Sequence, residues 1–419
     1  MHFCLNIENQ NENKCVKFNN IEIDIINKEK NLLYKKQYDT ISVEKKKIDA
    51  LENIENWDKV KKIGNPYELI YTTYNKKRKN DSISSYMPIS RSYFKLWEIF
   101  YKFDFFKKFD VNNNKNNNNA NNTNNNNFIF SHLAEGPGGF LEATYNYRKN
   151  KKSNDKFYGI TLKPTNEHIP CFTKIKKLYS ENQNIKIDYG NLYILEDIKK
   201  YLENFEGNKK AHLVTADGGF DYSSDFNGQE INSCQIIYSE CIVAINSLRK
   251  NGSFVCKVFD LFSITMVQIL YIMYCVFEKI YIYKPDTSRP ANSEKYLICM
   301  YYKDNLSYNE KNNLLNIIEL WYNISENKDE IFNESDSVIF KNIRIDNLFI
   351  QKLSTYNETY INNQMFYLNN TIELAQNKID KDKYYEIIQN QVFKAIEWCK
   401  KYNIEINKNS IYYKKNMNY

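Results

Sequence analysis

Lys257 stands inside the apolar run SFVCKVFDLF, between Val255-Cys256 and Val258-Phe259. A lysine in such a strand is costly unless it is paired or has a function. Lysine is also the side chain whose pKa falls on burial or beside another cation, which makes it a base near neutral pH. The plain alternative is an alternating strand that turns Lys257 to solvent. Lys95 in SRSYFKLWEIF has a similar setting, and in TSRPANSEKYLICM the polar residues Arg289, Asn292, Ser293 and Glu294 crowd the start of an apolar strand. Asp217 follows the apolar run AHLVTA, at the carboxyl edge where open α/β sheets bind ligands. A turn aspartate before Gly218-Gly219 is the bland reading.

A second feature is the turn Glu135-Gly136-Pro137-Gly138-Gly139-Phe140, placed where a strand hands over to a helix. Small residues there let the backbone approach a ligand and expose helix N-terminal amides, so a nucleotide-like cofactor fits. The spacing is neither a GxGxxG nor a P-loop, and a simple tight turn remains the alternative.

These residues need a sheet to position them. Strand-like runs begin at Phe128 and recur as KFYGITL, NIKIDY, AHLVTA, GSFVCKVF, KIYIY and YLICMY, with helical text such as NSCQIIYSECIVAINSL between most of them. That alternation predicts a doubly wound α/β domain with helices on both faces. The apolar run Leu261 to Phe277 is interrupted by Ser263, Thr265 and Gln268 and reads as a helix packed on the sheet. Residues 1–60 read as a basic extension, 61–303 as the main domain, and 304–419 as a mostly helical appendage. The run 112–127, almost pure asparagine, reads as a disordered insert.

The 419 residues carry 58 Lys and Arg against 51 acids, a formal net charge of +7, which favours a polyanionic partner without specifying one. Nine cysteines form no CxxC pair and have no histidines at zinc spacing, so buried free thiols are expected. The first residues show neither an apolar signal core nor transit-peptide composition, so a soluble, intracellular protein is expected. His132 and His212 lie in strand text and are expected to be satisfied core imidazoles.

Lys95, Asp217, Lys257 and Glu294, with the glycine turn between the first two, resemble the K-D-K-E signature of the FtsJ-like ribose 2′-O-methyltransferases. The text AEGPGGF, GITLK, TADGGFD, FVCKVFDLF and YKPDTSRPANSEKYLIC, with NPYEL upstream, is most similar to the cap-specific mRNA (cap-1) branch of that family, found in eukaryotes and large DNA viruses. The resemblance runs from about Asn65 to Tyr302. It implies a Rossmann-like sheet of about seven strands holding S-adenosylmethionine, with S-adenosylhomocysteine as product and no metal required. The donor loop maps to Glu135, Gly136, Pro137, Gly138, Gly139 and Phe140, and adenosine contacts to Thr161, Asn191 and Asp217. The chain departs from many relatives in lacking an acidic residue in Gly159-Ile-Thr-Leu162 and in reading Tyr189-Gly-Asn-Leu192 after the next strand.

The same resemblance implies Lys257 as general base, neutral when active because Lys95 lies nearby and the pocket is partly desolvated. Asp217 would orient Lys257, and Glu294 would pair with Lys95. Arg91 and Arg289 are the expected phosphate contacts, and Ser288 and Asn292 the shapers of the acceptor pocket. The expected partner is the capped mRNA 5′ end, with other capping or transcription machinery beside it and no membrane. The workplace would be the nucleus for a cellular enzyme and the cytoplasm for a virus-encoded one. Two alternatives stay open at this stage: a 2′-O-methyltransferase for ribosomal or transfer RNA, and a catalytically silent RNA-binding protein on the same fold.

Overall fold

The computed structural model describes residues 2–5, 16, 18–49, 51, 54–72, 81–109, 127–149, 154–165, 172–180, 182–219, 225–326, 335–377 and 379–417. The asparagine-rich insert apart from Asn127, Cys15, His168, Cys171 and the Phe220-Asp221 end of TADGGFD lie outside these residues. In chain order the elements are β1 (His2–Cys4), β2 (Ile23–Asn27), α1 (Lys35–Asp49), α2 (Ile54–Ile63), α3 (Ser92–Lys102), β3 (Ile129–Leu133), α4 (Gly139–Lys149) and β4 (Lys156–Thr161). They continue with α5 (Thr173–Leu178), β5 (Ile185–Tyr189), α6 (Leu195–Leu202), β6 (Ala211–Ala216), α7 (Gln229–Ser247), β7 (Leu248–Val258), α8 (Ile264–Val276), β8 (Phe277–Tyr283) and β9 (Lys295–Tyr302). The last are α9 (Tyr308–Glu326), β10 (Asp336–Phe340), α10 (Asn347–Gln376), α11 (Lys381–Lys401) and α12 (Ile411–Met417), with short 3-10 turns between some elements.

Eight strands form one sheet in the order β1-β8-β9-β7-β6-β3-β4-β5. The five from β5 to β7 run parallel, whereas β9 is antiparallel to both β7 and β8. Central strands buried on both faces read as continuous apolar runs, and every residue of β6 and β9 is buried. The seven strands expected from the sequence are all present. The eighth, β1, comes from the segment read as an extension and pairs with β8 at the edge.

Two apolar cores flank the sheet. One gathers Phe94, Phe100, Phe130, Phe140 and Trp398 from α3, α4, α11 and the sheet. The other gathers Tyr238, Ile242, Leu270, Leu315 and Phe349 from α7, α8, α9 and α10. Helix α8 is buried at every position after Ile264, and its Thr265 and Gln268 are satisfied inside, by Asn31 and by the Phe340 backbone. Its start is fixed by Ser263, whose Oγ accepts the Met266 amide proton at 3.2 Å. No helix among the described residues is long and apolar enough to cross a membrane.

The terminal segments are part of this body. Strand β2 pairs antiparallel with β10, from Ile23 opposite Phe340 to Asn27 opposite Asp336. Leu5, Phe18 and Ile41 from the first sixty residues share the second core with Phe349 and Leu353 of α10. Helix α10, 30 residues long, begins on the cap of Asp346 and reaches the Arg289–Glu294 loop. There Tyr360 Oη donates to the Asn292 carbonyl at 2.9 Å and Gln364 Nε2 to the Ala291 carbonyl at 3.2 Å. The boundaries at 60 and 303 therefore mark changes in composition rather than independent cores.

Candidate active site

Strands β6 and β7 are parallel neighbours with Ala216 opposite Cys256, so the next residues, Asp217 and Lys257, share the carboxyl edge of the sheet. Lys257 Nζ lies 3.2 Å from Asp217 Oδ1 and donates to the Asp217 carbonyl at 2.8 Å. Because β9 runs antiparallel to β7, with Lys257 opposite Tyr296, its amino end lies at that same edge and brings Glu294 beside Lys257. Lys95, on α3, closes the group with its Nζ 2.7 Å from Glu294 Oε1 and 2.8 Å from Oε2. Ser288 Oγ and Tyr296 Oη donate to the same carboxylate, at 3.0 and 3.4 Å. The structure thus gathers all four charged residues singled out from the sequence.

Their charge states follow from the surroundings. Burial pulls Lys257 down, but the carboxylates of Asp217, Glu294 and Glu240 outweigh it and leave its pKa above the ordinary lysine value. The expectation that Lys95 and desolvation lower Lys257 is corrected in direction: the negative groups facing it outweigh both. Burial would push Glu294 up, yet Lys95 and Lys257 pull it down to about 2. Burial raises Glu135, by contrast, well above the carboxylate range.

The donor-side cavity is lined by Ala134, Gly136, Thr161, Leu162, Gly190, Asn191, Leu192, Tyr193, Asp217, Gly218, Gly219 and Ile236. These residues come from the carboxyl ends of β3, β4, β5 and β6 and from α7. Of the glycine turn, Gly136 is in the wall. Glu135 turns inward instead: its Oε1 accepts the Leu141 amide at 2.8 Å, and its Oε2 lies 3.2 Å from His132 Nδ1. The Phe140 amide also bonds this carboxyl, so neither of these helix N-terminal amides is presented to a ligand as the sequence suggested. Phe140 packs in the core against Tyr296, and Gly138 and Gly139 are buried. At Gly139 a Cβ would sit 2.1 Å from the hydroxyls of both Ser90 and Ser92, so glycine is required for α4 to approach α3. Thr161, Asn191 and Asp217 bring polar groups to the cavity and Leu162 and Ile236 apolar walls, a mixture that suits a nucleoside carrying a cationic group. Among the described residues no cluster of three His, Cys, Asp or Glu could hold a metal.

On the acceptor side both arginines meet one buried carboxylate that the sequence did not single out. Glu68, within NPYEL, lies 3.1 Å from Arg91 Nη1 and 3.3 Å from Arg289 Nη2, and accepts from Asn65 Nδ2 at 2.8 Å. Arg91 also donates to the carbonyls of Tyr71 and Thr287. Asn292 is braced by Lys284, which donates to its Oδ1 at 2.7 Å and to the Glu294 carbonyl at 2.7 Å. A second carboxylate missed in the sequence, Glu98 on α3, accepts the Asp286 amide at 2.8 Å and Trp398 Nε1 at 3.0 Å. A third is Glu240 on α7, whose Oε1 accepts the Gly218 amide at 3.0 Å. NPYEL offered a signal for Glu68; Glu98 and Glu240 sit in ordinary helical text. His132 and His212 are buried, bonded to Thr215 and to the Ile129 amide, and burial pushes both to about 3.

Comparison with known proteins bears on this site. A family model described as FtsJ-like methyltransferase matches residues 88–302. The cap-specific mRNA (nucleoside-2'-O-)-methyltransferase 1 of Mus musculus is 37% identical over 183 residues, 41% of this chain and 21% of that protein. The Drosophila melanogaster protein of the same name is 38% identical over 182 residues, 41% of this chain and 22% of its own. The one from Caenorhabditis elegans is 30% identical over 267 residues, 61% of this chain and 28% of its own. The matched part is less than a third of the length of each relative. The family match takes in α3 with Lys95, the glycine turn, the Asp217 edge and the whole stretch through β9, and on it the chain belongs to the FtsJ-like methyltransferase family.

Proposed function

We propose that the protein transfers a methyl group from S-adenosylmethionine to a ribose 2′-hydroxyl at the 5′-capped end of mRNA and releases S-adenosylhomocysteine. The observation that carries this reading is the meeting of the Lys95–Glu294 and Lys257–Asp217 pairs at the sheet edge that also walls the donor-side cavity. Family membership implies S-adenosylmethionine as donor, and the names of the relatives favour a capped acceptor.

S-adenosylmethionine, when bound, supplies an electrophilic methyl group. Lys257 Nζ takes the proton of the 2′-hydroxyl, and it does so only after losing its own proton, since the carboxylates around it favour the ammonium. Asp217 fixes that nitrogen from its carbonyl and its carboxylate. Both oxygens of Glu294 hold the Lys95 ammonium, which leaves one orientation for the head group beside the ribose. Much of the acceleration comes from alignment, so displacements of these side chains are costly.

A cavity lined by Lys45, Trp57, Lys61, Arg289, Asn292 and Gln364, among others, adjoins the acceptor loop. Two of its cations are already paired, Lys45 with Asp260 and Arg289 with Glu68, so what it offers a single-stranded RNA segment is chiefly room and polar groups beside that loop. The enzyme would work where its capped RNA is made, in the nucleus for cellular transcripts or the cytoplasm for viral ones, beside capping or transcription machinery. A methyl-transfer assay on capped and uncapped RNA of one sequence, with nuclease mapping of the modified ribose, tests the reading. Capped RNA should be the preferred substrate, and equal activity without a cap would overturn the preference.

A further inference from the structure

Glu240 is fully buried on α7, beneath the turn that follows β6. Its Oε1 accepts the Gly218 amide at 3.0 Å, and its Oε2 accepts the Cys256 thiol at 3.4 Å. Cys256 immediately precedes Lys257, and Gly218 immediately follows Asp217. One carboxyl group therefore grips the chain next to each member of the Lys257–Asp217 pair.

The two glycines of the turn have separate reasons to be glycine. A Cβ at position 218 would stand 2.3 Å from Glu240 Oε1, and one at 219 would stand 3.0 Å from Lys257 Nζ. The first contact is closer than real Cβ atoms come, so the Gly218 backbone can meet Glu240 only without a side chain. The second leaves just enough room for the ammonium beneath the turn. The titratable and charged groups facing Glu240 are Asp217 after β6 and Cys256 and Lys257 of β7, and Cys241 of its own helix faces Cys256.

We propose that Glu240 is a positioning residue for methyl transfer, setting the Asp217-Gly218-Gly219 turn and through it the place and protonation of Lys257. The inference rests on the reading of Lys257 as the base. Burial raises Glu240 to about 8, with Lys257 pulling it down and Asp217 pushing it up, so it carries its negative charge by the pH at which Lys257, itself raised, begins to lose its proton. Each increment of charge on Glu240 favours the ammonium form of Lys257.

Three variants test this: Glu240→Ala, Glu240→Gln and Gly218→Ala. Single-turnover rates are measured per donor-binding site, so unfolded protein does not count. Glu240→Ala should lower the plateau rate about a hundredfold at unchanged donor affinity, Gly218→Ala, in the cavity wall itself, should lower the rate by a similar factor, and Glu240→Gln, which keeps the acceptor for the Gly218 amide, should recover most of the Glu240→Ala loss. The rising limb of the Glu240→Gln pH profile should lie at lower pH than in the wild type, because Lys257 has lost a carboxylate that favours its protonated form. A second readout needs neither RNA nor donor: acylation of Lys257 by acetic anhydride, followed by mass spectrometry from about pH 8 to about pH 12. In Glu240→Gln the labelling curve should move to lower pH. Wild-type plateau rates in Glu240→Ala and Gly218→Ala, or an unmoved labelling curve in Glu240→Gln, overturn the inference. A wild-type protein inactive on every RNA counts against the proposed function instead, and the labelling curve then decides the role of Glu240 alone.

Discussion

Lys95 and Glu294 form a two-point ion pair, with the ammonium 2.7 and 2.8 Å from the two carboxylate oxygens, that ties α3 to the loop entering β9. Both side chains are 14% exposed, so each would be left as a nearly buried, uncompensated charge if the other were removed. Lys95→Met and Glu294→Gln should each lower stability by about 3 kcal/mol, read by urea denaturation, and each should depress methyl transfer more than donor binding.

The same pair sets an acid limit. Glu294 is pulled down to about 2 by Lys95 and Lys257 against the effect of burial. A depressed carboxylate contributes stability that is present above its unfolded value and is lost as pH falls through the folded one. Denaturation midpoints should therefore fall between about pH 4.5 and pH 2 in the wild type, by about 3 kcal/mol in all. Glu294→Gln should show a shallower decline.

Lys257 gives the opposite dependence. Its folded pKa is raised by Asp217, Glu294 and Glu240 in spite of burial, and the active form is the neutral one. Single-turnover methyl transfer should rise about tenfold per pH unit below that pKa and level off above it. A rate that is flat or falling from about pH 6 to about pH 9 would remove Lys257 from the role of base. Lys257→Ala should cost about a thousandfold in rate while donor affinity, measured by calorimetry, stays close to wild type.

Glu68 joins Arg91 and Arg289 across the acceptor side. Glu68→Ala would leave the two arginines without their shared carboxylate, though both are partly solvated, and should cost about 2 kcal/mol. Affinity for RNA should change as well, because the loop that presents Arg289, Asn292 and Glu294 loses an anchor. Filter binding on capped RNA in the absence of donor measures this directly.

Much of this architecture was legible because the central strands are buried on both faces and read as apolar runs, and because Lys257 and Glu294 are conspicuous in such text. The resemblance supplied what spacing could not, the pairing of Glu294 with Lys95 and of Asp217 with Lys257. Glu98 and Glu240 escaped notice because a carboxylate in helical text looks like a solvated one until the fold sets it against Trp398 or Gly218. The shift of Lys257 runs opposite to the expected one because it depends on carboxylates from three separate elements. Strands β1, β2 and β10, of three to five residues, are too short to carry a period.

The pairing of β2 with β10 also bears on how the chain is made. Ile23–Asn27 leaves the ribosome well before Asp336–Phe340, so a ribbon between them cannot close until the long stretch that separates them has been synthesised. Until then β2 has an open edge, and the apolar residues that α10 covers, including Tyr34 and Ile41, have no cover. Completion of this fold is therefore a late, non-local event in translation, and the nascent protein is a natural client for chaperones that shield exposed apolar surface.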